Sequence, residues 1–155
     1  MRAVFSFLSR LFLSAIFIFT AVQDVLQWNS TEQYVYNTLT ATFNSGLAGH
    51  GTSLILEVII PKLSIFFAAA IFLKLLGGIC VLFGWNIRFG AFLLLLFLIP
   101  ITFIMHDFWN KTGVDKAQQL IEFWKNTGIA GGLLLLLTHG IPEAKKAAPS
   151  DKKAS

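Results

Sequence analysis

Four stretches limit what this chain can fold into more than any motif does: 4–26, 63–83, 89–105 and 120–138 are each nearly free of charge. A helix needs about 20 mostly apolar residues, rising about 1.5 Å each, to cross about 30 Å of hydrocarbon. Lipid offers no partner to a backbone N–H or C=O, so such stretches must satisfy those groups internally, as helices. Composition agrees: 55% of the residues are apolar and 13% charged, with a mean hydropathy of +0.71, whereas a soluble domain carries about 25% charge. The 155 residues divide into a four-span transmembrane bundle over 1–140 and a basic tail over 141–155, expected to be disordered and cytoplasmic. The fold class expected is all-α, four transmembrane helices running up and down.

Interruptions within the spans carry information. Arg10 breaks the first and Lys74 the second. Pro61 stands where the second helix begins, a position at which its missing N–H costs least. Pro100 falls inside the third, where a kink is expected. The N-terminus imitates a signal peptide, but bulky Phe19 and Val22 occupy the positions a cleavage site would need small, so it reads as a retained first span. Trp85–Arg88 is a tight turn that makes the second and third helices antiparallel neighbours. Trp28–Ile60 is a long loop; within it, Val35, Leu39 and Phe43 recur every four residues, predicting a short amphipathic helix over 31–43 on the membrane surface. The glycines of NSGLAGHG make the remainder flexible.

Lysine and arginine set the orientation. Arg2, Arg10, Arg88, Lys145, Lys146, Lys152 and Lys153 fall on one side; Lys62, Lys111, Lys116 and Lys125 fall on the other. Both termini are therefore expected in the cytoplasm. The tail lysines suit an anionic bilayer; without interleaved aromatics they exclude nucleic acid as a partner. A single cysteine, Cys80, excludes dithiol exchange within the chain. Gly77, Gly78, Gly128 and Gly132 are expected to pack helices closely. A homo-oligomer is left open.

Candidate binding residues follow from depth. Lys74 lies near the midplane, with Ser14 at a similar level and no acidic residue matching it. A cation there must face the interior and find a partner, which makes both residues candidate ligand contacts. A second group gathers at the outer end. His106 titrates near neutrality and stands beside Asp107, a candidate proton relay. Trp109, Glu122 and Asn126 are further candidate contacts, and Trp28, Trp109 and Trp124 form an interfacial aromatic belt. His50 has no ligand spacing with His106 and Asp107, so no metal is expected.

RLFLSAIFIFTAVQDVL, KLLGGICVLFGWNIRFGAFLLLLFLIPITFIMHDFW and EFWKNTGIAGGLLLLL, in this order, resemble the DoxX family of bacterial inner-membrane proteins. The resemblance covers all four spans and implies a four-helix bundle in the bacterial inner membrane. It also implies a redox-associated subunit that binds a quinone or similar lipophilic ligand between its helices, alongside a partner oxidoreductase subunit. The chain departs from that family by having Lys74 where an acidic residue is common. It carries no flavin, haem, iron–sulfur or dithiol motif, so it would be at most a subunit of a membrane oxidoreductase. The alternative is a non-catalytic scaffold or assembly partner of a respiratory or oxidative-stress complex.

Overall fold

The computed structural model describes residues 2–44 and 57–140. The glycine-rich part of the long loop, with His50, and the lysine tail lie outside these residues. The described residues are helical, without strands: α1 (Arg2–Leu26), α2 (Trp28–Asn44), α3 (Leu63–Phe83), α4 (Ile87–Met105) and α5 (Gly113–His139), with short 3-10 turns at Ile60–Lys62 and Phe108–Asn110. Four of them, α1, α3, α4 and α5, are long and apolar enough to cross a membrane. The protein is thus an all-α membrane protein with four spanning helices.

The surface helix is longer than the sequence pattern suggests, filling 28–44 rather than 31–43. It follows α1 almost without a break, because Gln27 N–H donates to Gln23 and Thr31 N–H donates to Gln27. The polar face hid its start: Trp28, Asn29 and Ser30 read as loop by composition. The last helix likewise starts at Gly113 rather than near 120, because its first two turns are polar and stand beyond the apolar run.

α3 is the centre of the bundle, packed against α1 on one side and α4 on the other, and α4 in turn carries α5. The half of this arrangement nearest the α3–α4 turn is very tight. A Cβ at Gly77 would lie 2.8 Å from the Leu94 side chain and 3.0 Å from the Gly90 carbonyl. A Cβ at Gly90 would lie 2.8 Å from Cys80 Cβ and 2.9 Å from the Gly77 carbonyl. The two glycines thus face each other across the α3–α4 seam, and neither tolerates a side chain. Gly78 does the same against Ile18 of α1, at 2.8 Å. Acyl chains are as apolar as leucine, so burial alone drives little association in lipid; close backbone approach and dispersion hold the seam instead. Phe17, Val81, Ala91, Leu94, Leu95, Leu98 and Leu133 complete that core, drawing on all four spans.

The α3–α4 turn is fixed by backbone chemistry. Gly84 takes φ +78° to end α3, and its bare Cα also leaves room for the Arg10 guanidinium. Asn86 follows at φ 39°, and its side-chain oxygen accepts from Phe89 N–H at 3.4 Å, capping α4. α4 then continues as helix through Pro100 to Met105.

Candidate functional site

In the half beside α2, away from the α3–α4 turn, the helices part around a partly open cavity of about 530 Å³. α1 supplies Phe17, Thr20 and Asp24, and α3 supplies Phe66, Phe67, Ala70 and Lys74. α4 adds Phe97, Ile101 and Met105, with His106 just beyond its end. The surface helix α2 covers it with Thr31, Tyr34, Val35 and Leu39, one face at helical spacing. Two hydrogen bonds and an aromatic contact tie that cover down. Glu32 accepts from both Trp28 Nε1, at 2.9 Å, and the Ser64 hydroxyl, while the Trp28 ring meets Phe67 edge-on at 4.8 Å. At its far end Thr42 donates to the Ile104 carbonyl at 3.3 Å.

The cavity is mostly apolar, and its charged pair stands where Lys74 and Asp24 meet. Lys74, 4% exposed, makes a direct ion pair with Asp24 and lies 5.2 Å from the centre of the Phe97 ring. This overturns the expectation that no acidic group reaches the lysine. Gly78 packs on Ile18, and Ile71 shares a cluster with Ala21. The Lys74 backbone therefore stands close to the level of Thr20, one helical turn (about 5.4 Å) short of Asp24. Side chains lean toward the N-terminus of their own helix. In antiparallel α1 and α3 those leans oppose, so Asp24 reaches inward, Lys74 reaches outward, and the two meet. Counting backbone depth alone missed this, and it also missed Phe97, whose ring face attracts the ammonium.

The other predicted residues are dispersed. Ser14 is fully buried but donates to the Arg10 carbonyl at 2.7 Å, beneath the cavity and not on its wall. His106 lines the cavity and sets Nδ1 2.9 Å from Gln119 Oε1. Asp107, 1% exposed, turns elsewhere: it pairs with Lys111 at 3.6 Å and accepts from Asn110 at 3.5 Å. Among the described residues no hydrogen bond joins the His106 and Asp107 side chains. Trp109 stacks with Phe103, Phe108 and Phe123 outside the cavity. Glu122 is held by Lys125 at 2.7 Å through both oxygens. Asn126 does line the cavity. Gly132 faces Leu13 at 3.7 Å, while a Cβ at Gly128 would meet nothing within 4 Å. Among the described residues no cluster of His, Cys, Asp and Glu is placed to hold a metal.

Together these features define a class: a multi-pass helical membrane protein with a tightly packed base and an apolar cavity closed by a buried ion pair. The HR-like lesion-inducing family matches residues 1–139, and the chain belongs to that family. It is 32% identical over 71 residues to the inner membrane protein YphA of Escherichia coli (strain K12), covering 46% of this chain and 51% of YphA. It is 30% identical over 71 residues to the ER-derived vesicles protein ERV29 of Saccharomyces cerevisiae (strain ATCC 204508 / S288c), covering 46% of this chain and 23% of ERV29. The chain thus spans about half the length of one curated relative and less of the other. No solved structure matches it.

These matches correct the DoxX assignment. The apolar blocks and glycine pair that carried that resemblance are features of packed spans, which are shared more widely than one family. With it fall the quinone-binding redox subunit and the respiratory or oxidative-stress setting of the scaffold alternative, which these matches do not support. Lys74 is accordingly no substitution for a missing acid. It belongs to a lysine–aspartate pair of this chain's own.

Proposed function

We propose that this protein is a membrane-embedded binding protein that takes a single-chain lipophilic guest into the cavity between α1, α2, α3 and α4, with no redox step. The observation that carries this reading is the cavity itself, about 530 Å³ of mostly apolar space with a polar end at Lys74 and Asp24. Ligand sites run from about 300 to 1,000 Å³, apolar with a few placed polar groups. A two-chain phospholipid needs considerably more room, whereas one acyl chain with a small head fits. Among spanning segments, buried ionisable groups are costly and mark functional sites. The test is to purify the protein from membranes in mild detergent and identify released lipid by mass spectrometry, with Ala70→Phe as the filled-cavity control. A stoichiometric single-chain amphiphile, absent from the variant, is expected. Its absence from the wild type, or equal recovery from both, would overturn the reading.

The same proposal places the protein in a bacterial inner membrane with both termini in the cytoplasm. Similarity to YphA supports the location, and the basic excess of Arg2, Arg10, Arg88 and the tail supports the orientation. Reporter fusions active on only one side of the membrane, made separately at each terminus, check it. Opposite signals at the two ends would refute it.

A further inference from the structure

The polar end of the cavity also specifies the charge of the guest, an inference that rests on the binding reading above. Three cavity-lining groups besides the Tyr34 phenol can ionise: Asp24, Lys74 and His106. Lys74 and Asp24 touch each other, so together they carry no net charge, whichever partner holds the proton. Lys74 has further N–H donors beyond the one given to Asp24. Asp24 bonds through Oδ2, which leaves Oδ1 without a hydrogen bond among the described residues. Donor and acceptor thus stand side by side at the end of an apolar chamber.

We infer that the site selects an amphiphile with a neutral hydrogen-bonding head, such as the hydroxyls of a monoacylglycerol or a long-chain alcohol, and rejects anionic heads. A hydroxyl both donates and accepts, so it can donate a hydrogen bond to Asp24 Oδ1 and accept one from Lys74 without disturbing the pair. A phosphate or carboxylate brings a net negative charge into a region that holds none, and desolvating an uncompensated charge there is heavily unfavourable. Lys74 can lend it a spare N–H, but the site then carries a net negative charge, and neutralising that charge by pulling Lys74 away from Asp24 strands the aspartate instead.

A matched pair of probes reads this directly. 1-Monooleoylglycerol and oleoyl-lysophosphatidate share chain and glycerol and differ by one phosphate. Binding of each to the detergent-solubilised full chain is followed by native mass spectrometry. The wild type should favour the monoacylglycerol by at least about tenfold, since stranding a buried charge costs more than that ratio represents. Asp24→Asn leaves Lys74 unpaired and should reverse the preference. Saturable wild-type binding with lysophosphatidate equal or favoured overturns the neutral-head inference while the cavity reading stands. Saturable binding of neither probe defeats both. Should Asp24→Asn fail to insert, the wild-type ratio decides alone.

Discussion

The two halves of the bundle are built on opposite plans. In the half nearest the α3–α4 turn, Gly77 and Gly90 bring the backbones of α3 and α4 so close that a Cβ on either would stand within 3 Å of its neighbours. In the half beside α2 the same two helices carry Phe66, Phe67, Phe97 and Ile101, and they open around a cavity of about 530 Å³. The difference lies in side-chain size along continuous helices, not in a change of secondary structure. Small residues let helices lock at one end, and bulky ones wedge them apart at the other. A tight seam at one end thus stands beside a chamber at the other, and α2 covers it.

The contrast is broken most severely by removing one member of the buried ion pair. Lys74→Leu leaves Asp24 without its partner, and breaking such a pair costs about 3–5 kcal/mol. A large fall in the thermal midpoint in detergent is expected. The double variant Lys74→Leu, Asp24→Leu should regain most of that loss, because an apolar pair of similar volume needs no compensation. A single Lys74 variant that stays as stable as the wild type would show that the pair does not form.

Next in size is the seam. Gly90→Ala forces a methyl against Cys80 and the Gly77 carbonyl, an overpacking that costs about 1–3 kcal/mol. Gly128→Ala, where a methyl meets nothing within 4 Å, should be neutral or stabilising by up to about 1 kcal/mol through helix propensity. Denaturation in matched micelles compares them, and equal effects would remove the distinction between packed and open faces. Ala70→Phe sharpens the comparison differently. It should abolish guest binding while moving the thermal midpoint less than Gly90→Ala does, since it fills space instead of wedging backbones.

The smallest effect belongs to the most exposed of the lysine–carboxylate pairs. Lys125 and Glu122 are 53% and 43% exposed, and solvent-screened pairs three residues apart contribute about 0.3–0.5 kcal/mol. Lys125→Ala should change stability by no more than that. The same two functional groups thus differ about tenfold in consequence because one pair is solvated and the other is not. A loss comparable to that of Lys74→Leu would contradict the account.

Much of this architecture was legible in the sequence. The apolar runs gave four spans, Pro61 marked the approach to α3, and the tight turn joined α3 to α4, because length and hydropathy are properties of single segments. The site was legible only in part. Lys74 stood out, since a charge in an apolar run is visible to counting. Asp24 did not, because it lies near the end of the first apolar run and only the opposed lean of antiparallel side chains brings it to the lysine. The cover formed by α2 was half visible: Val35 and Leu39 showed the period, while Thr31 and Tyr34 looked like ordinary polar surface. His106 and Asp107, neighbours in sequence, are carried apart because one caps the end of α4 and the other precedes the 3-10 turn at Phe108–Asn110. The family assignment failed for a related reason: glycine pairs and leucine runs report on packing in lipid, which many families share.

The central claim is that the chamber beside Lys74 and Asp24 holds a guest distinct from the surrounding bilayer. Photo-crosslinking from a small diazirine side chain tests this most directly, placed at position 70 inside the chamber or at position 72, where Phe72 is 62% exposed. The account predicts that position 70 captures a narrow set of single-chain amphiphiles while position 72 captures lipids in their bulk membrane proportions. Identical lipid profiles from the two positions, or no lipid adduct at position 70, would contradict it.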